Sequence, residues 1–107
     1  MELNEYQKLT SRTAVYPGQA SKQGLEYTLF GLLGEVGEIS NLYKKILRNN
    51  DDPYSYENRQ KLMTETGDAL WYLTQFLKEL GYSLDYAAQI NVDKLAARAE
   101  AGELKNR

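Results

Sequence analysis

Apolar residues recur along this chain at spacings of three and four, with its glycines and prolines set at separable points between the repeats. The pattern predicts helix throughout. Asn4 is placed to cap a first short helix that runs to about Val15 and is closed by the turn Pro17-Gly18. Ser21 caps the second, in which Leu29, Leu32, Leu33, Val36, Ile39, Tyr43 and Ile46 form one apolar stripe and mark a core helix. Arg48-Asn49-Asn50-Asp51-Asp52-Pro53 is polar, and its proline disfavours helix at the residue before it, so a loop follows. Ser55 caps a third helix whose wide apolar face carries Leu62, Met63, Ala69, Leu70, Leu73, Phe76, Leu77 and Leu80. Gly81 supplies the left-handed residue that ends it. Ser83 and Asp85 start a fourth helix, which reaches about Ala101-Gly102. Two long helices joined by a loop, with shorter ones at either end, predict an all-α antiparallel bundle of about four helices, one domain over residues 1–107.

The acids change the picture from scaffold to chemistry. A helix turns about 100° per residue, so Glu35 and Glu38 fall roughly 60° apart on one flank of the stripe centred on Val36. Glu65 and Asp68 fall likewise beside Leu70 on the third helix. If the helices pack antiparallel, four carboxylates meet at the bundle interior or its open edge. Like charges that close repel strongly without a cation. The chain has no cysteine and no histidine, which excludes thiolate sites and removes both the commonest general base and the commonest transition-metal ligand. Oxygen donors alone favour Mg²⁺, or Mn²⁺ as a substitute, over zinc or copper, and so point to polyphosphate held through metal with a bound water as nucleophile. The competing reading of each acid pair is a solvated helix face. Gly31, Gly34 and Gly37 add a smooth track beside the first pair, each costing about 1 kcal/mol relative to alanine. Tight helix packing and ligand access both account for such a track.

Composition narrows the class without naming it. A hydrophobic fraction of 42% and a charged fraction of 26% match an ordinary soluble globular domain, and a net charge of −2 argues against binding long nucleic acid. No run approaches the roughly 18 apolar residues of a membrane span, and the first residues lack the character of a signal peptide, so the cytoplasm is the default compartment. A chain of 107 residues with nine tyrosines and one tryptophan has more apolar surface than a lone bundle covers, which predicts a homodimer or homotetramer.

Leu33-Gly34-Glu35-Val36-Gly37-Glu38 followed by Glu65-Thr66-Gly67-Asp68 resembles the paired E-x-x-E and E-x-x-D signature of MazG-like nucleoside triphosphate pyrophosphohydrolases. Further likeness lies in Tyr43-Lys44-Lys45, in Leu70-Trp71-Tyr72-Leu73, and in Asn91-x-x-Lys94-x-x-x-Arg98, which is similar to that family's closing helix; it extends over about residues 24–98. The resemblance implies an all-α enzyme that hydrolyses nucleoside triphosphates to monophosphate and pyrophosphate with Mg²⁺, with Glu35, Glu38, Glu65 and Asp68 as metal ligands. It implies that one glutamate orients the attacking water and that the pocket lies near a subunit boundary. House-cleaning of the nucleotide pool is the expected role; dUTPase-like or phosphoribosyl-ATP pyrophosphohydrolase specificity and a non-catalytic metal- or nucleotide-binding partner are the alternatives. Asn91 and Lys94 then contact the nucleotide or its phosphates, or else form a solvated face; Arg98 binds phosphate or pairs with an acid. Trp71 stacks on a base or fills core and interface, and Lys44 and Lys45 neutralise phosphate or complement the helix dipole. Tyr6, Thr13 and Tyr16 approach the base, as in some short members, or cover the core.

Overall fold

The computed structural model describes residues 1–102. It contains four helices and, among the described residues, no strand: α1 (Leu3–Thr10), α2 (Lys22–Arg48), α3 (Tyr56–Glu79) and α4 (Leu84–Glu100). Ser55 and Ser83 act as caps, their hydroxyls accepting from the backbone N–H groups of Asn58 and Tyr86. Ser21 holds the N-cap position of α2 but donates its hydroxyl to Gly18 O instead of accepting from the helix. Gly81 takes a positive φ of 83° after α3, as the end of that helix requires.

The first helix differs from expectation at both ends. Glu2, not Asn4, is its N-cap, with the Glu2 N–H reaching Glu5 Oε2 at 3.5 Å, and the helix stops at Thr10 rather than near Val15. Asn4 instead serves another helix, its Oδ1 accepting from the Asp85 N–H at 3.2 Å. Gln7 completes that junction by accepting from the Leu84 N–H and donating to Tyr82 O. These bonds satisfy open N–H groups in the first turn of α4 and fix α1 across it.

The principal packing is the α2–α3 hairpin, and α1 bridges α3 and α4. The hairpin seam is made of small and polar residues. A side chain at Gly24 would run into Gly18 O and Glu79 Oε1, and one at Gly31 would run into the Tyr72 ring. Between those levels Thr28, Thr74 and Gln75 are fully buried. Both threonines donate their hydroxyls to their own helix, at Gly24 O and Leu70 O, and so enter the interior with that donor satisfied. The loop before α2 is clamped to the end of α3, where the Tyr16 hydroxyl and the Ala20 N–H both donate to the Glu79 carboxylate at 2.6 and 2.9 Å.

That seam leaves much of each predicted apolar stripe outward, although Ile46 is buried and Leu32 and Ile39 are half-buried. Leu29, Leu33, Val36 and Tyr43 of α2 are exposed, as are Met63, Leu70 and Leu73 of α3, so in one copy α2 is not the core helix its periodicity predicts. Nor does α4 close a four-helix bundle within the chain. It leaves an apolar cleft of about 600 Å³ between Leu84, Ala87 and Ala88 on its own side and Leu32, Leu73 and Phe76 of α2 and α3. The radius of gyration is 16.7 Å, where a compact chain of this length has about 13 Å.

Candidate metal centre

The antiparallel register that sets Gly24 against Glu79 and Gly31 against Tyr72 carries the acids to a common level one turn further on. Carboxylate oxygens of Glu35, Glu65 and Asp68 lie within 4.8 Å of one another. Glu35 and Glu65 are half-buried and Asp68 is exposed. Glu38 follows Glu35 by one turn on α2, is exposed and stands outside this group, although its charge still acts on Glu35.

Burial, and then the charges of Asp68, Glu65 and Glu38, raise the Glu35 carboxyl above its ordinary value. Every charge acting on it is negative. Among the described residues the ion pairs are Lys22–Glu26 and Lys61–Glu57, so none of the four acids is neutralised by a basic side chain. A group of hard oxygen donors, crowded and uncompensated in a chain without histidine or cysteine, fits a divalent cation. A pH prediction follows from the raised Glu35. Its contribution to metal-free stability is fully present below the ordinary glutamate value and is lost as pH rises through the raised one. Thermal unfolding in a chelator should therefore show stability falling across that window, and Glu35→Gln should flatten the fall.

Two tyrosines border the acids. Tyr72, one turn beyond Asp68 on α3, has its phenol raised by burial, then by Tyr27 and by the charges of Glu35 and Asp68. Tyr6 of α1 is raised by burial and then by Asp68. Tyr72 is not among the site residues that the acid motifs single out, although its place four residues after Asp68 puts it on the same face of α3. Gly31 is explained by this neighbour, since the Tyr72 ring occupies the space of its side chain; Gly34 and Gly37 face open space.

The remaining candidates lie elsewhere. Trp71 is half-buried, donates its indole N–H to Thr13 Oγ1 at 2.9 Å, and meets Tyr72 and Tyr16 edge to face. Tyr16 is buried and stacks on Tyr27. Asn91 and Lys94 line a groove of about 480 Å³ with Leu77, Tyr82, Tyr86 and Ile90, which contains none of the four acids. Arg98 is half-buried in the last turn of α4, and Lys44 is exposed on α2. The structure thus gathers three of the predicted ligands, keeps Glu38 next to them, and holds Asn91 and Lys94 of α4 in a separate groove that Arg98 does not line.

Residues 23–102 match the MazG nucleotide pyrophosphohydrolase domain. The chain is also 42% identical over 108 residues to the Gene 37 protein of Mycobacterium phage L5, an alignment covering 98% of this chain and 95% of that protein. No solved structure matches.

Proposed function

As the chain belongs to the MazG nucleotide pyrophosphohydrolase family, we propose that it hydrolyses nucleoside or deoxynucleoside triphosphates to the monophosphate and pyrophosphate, with Mg²⁺ or Mn²⁺ held by Glu35, Glu65 and Asp68 together with Glu38. The observation that carries this reading is the uncompensated group of three carboxylates within 4.8 Å. A divalent cation in such a donor set supplies charge for phosphate oxygens and an acidified water.

The residues themselves do the rest. Glu35, Glu38 and Glu65 include the base that accepts the proton of the water attacking the α-phosphorus. The bond from that phosphorus to the bridging oxygen breaks, and pyrophosphate leaves with the electron pair. Water exclusion falls to Tyr72 and Tyr6 at the border of the group. Removal of unwanted triphosphates from the nucleotide pool is the role this activity suits.

We also infer a homo-oligomer. One copy exposes 7827 Å², about 1,800 Å² more than a folded monomer of 12.2 kDa is expected to show. Phe30, Leu33 and Val36 of α2 and Met63, Leu70 and Leu73 of α3 are among the large apolar residues that one copy leaves exposed. In such an assembly Asn91, Lys94 and Arg98 serve a nucleotide bound near the boundary between copies, since within one copy the groove lined by Asn91 and Lys94 excludes the acids.

Pyrophosphate release from a panel of nucleoside triphosphates, with and without Mg²⁺, tests the reading. Release from at least one member only in the presence of metal is the expected result. Equal release after complete chelation would remove the metal from the account.

A further inference from the structure

The groove between α2 and α3 is different at its two ends. At one end the Tyr72 ring lies against α2 at Gly31. At the other, beyond the acids and toward the loop between the helices, a cavity of about 330 Å³ is lined by Leu42, Gln60, Lys61, Thr64 and Glu65. Glu65 belongs both to this cavity and to the carboxylate group, so the two are continuous.

Lys61 and Gln60 give this lining donors for an anion, beside the Glu65 carboxylate, whose charge a bound cation would offset. Lys61 is the cavity's single cation, and it stands one helical turn before Glu65 on the same face of α3. Gln60 adds an amide that can donate, while Leu42 is the only apolar wall. No aromatic ring lines the cavity to receive a base. Its volume lies at the lower limit of small-ligand sites, which run from about 300 to 1,000 Å³, and is ample for a diphosphate group. Lys61 is held only loosely by its other partners, Glu57 and the charge of Asp51. Its pair with Glu57 is 3.5 Å long with both side chains more than half exposed, a weak interaction that a multiply charged anion displaces.

We propose that this cavity receives the leaving pyrophosphate portion of the triphosphate, with Lys61 as its cation and Gln60 as a second donor. The assignment rests on the triphosphate reading above and adds a direction to it. Substrate lies along the seam with its terminal phosphates toward the α2–α3 loop, and Lys61 meets the charge that grows on the leaving group as the bond breaks.

Calorimetric titration of the full chain with inorganic pyrophosphate in Mg²⁺ tests the proposal, with AMP as the monophosphate probe. Lys61→Ala should weaken pyrophosphate binding about tenfold, the size of a lost charge-assisted hydrogen bond, and leave AMP binding unchanged. Lys61→Arg should restore most of it. Lys22→Ala, which removes an exposed lysine at the far end of α2, should behave as wild type. Circular dichroism checks that each variant keeps its helices. Pyrophosphate affinity unaltered by Lys61→Ala, or lost equally for pyrophosphate and AMP, overturns the proposal. Pyrophosphate binding that depends on Lys61 in a protein that hydrolyses no triphosphate supports the anion site and overturns the reaction instead.

Discussion

Glu35→Gln is expected to lower triphosphate turnover by at least about a hundredfold while the helical signal is unchanged. Residues that merely support a metal ligand cost about 10- to 100-fold when replaced, so loss of a ligand's charge belongs at or beyond that limit. Glutamine keeps the shape of the side chain and removes only the negative charge, and Glu35 is the acid on which Asp68, Glu65 and Glu38 all act. Glu38→Gln, Glu65→Gln and Asp68→Asn should each do the same. Stability separates this account from a structural one. In the absence of metal, Glu35→Gln relieves repulsion and should raise the melting temperature, and it should abolish the further rise that Mg²⁺ gives the wild type. Activity within about twofold of wild type, or a lower metal-free melting temperature, contradicts the assignment of Glu35 as a ligand.

Leu33→Asp should convert an oligomer to single chains. Leu33 is 60% exposed in one copy and lies with Phe30 and Val36 on the outward side of α2, so in an isolated chain an aspartate there costs within about 0.5 kcal/mol. In a contact between copies it leaves an unpaired buried charge. Such a charge costs about 3–5 kcal/mol, or about a hundredfold to several thousandfold in the association constant. Light scattering at micromolar concentration should give a multiple of 12.2 kDa for the wild type and 12.2 kDa for the variant. A wild-type mass of 12.2 kDa that Mg²⁺ and nucleotide leave unchanged contradicts the oligomer.

The two stripes show what periodicity can and cannot specify. It placed Glu35 and Glu38 together on α2, and Glu65 and Asp68 together on α3, because angular position about a helix axis follows from residue spacing alone. It also located the loop and the caps Ser55 and Ser83, whose chemistry is local. Which face meets which neighbour is not local. The stripe centred on Val36 read as a core face, yet α3 docks on Gly24, Thr28 and Gly31, where small side chains allow close approach and leave Val36 half exposed. For the same reason Tyr6 was not legible as a neighbour of Asp68, since only the docking of α1 brings it there. Asn4 carried a valid capping signal attached to the wrong helix, because a side chain's hydrogen-bonding capacity does not encode the sequence distance to its partner.

The acidic seam of α2 and α3 is proposed to serve cleavage between the α- and β-phosphates. Phosphorus NMR of a triphosphate incubated with the protein and Mg²⁺ in ¹⁸O-water tests it most directly. Equimolar monophosphate and pyrophosphate with the label on the monophosphate is the expected result, as attack at the α-phosphorus requires. Nucleoside diphosphate with labelled orthophosphate, or label on the pyrophosphate, would contradict it.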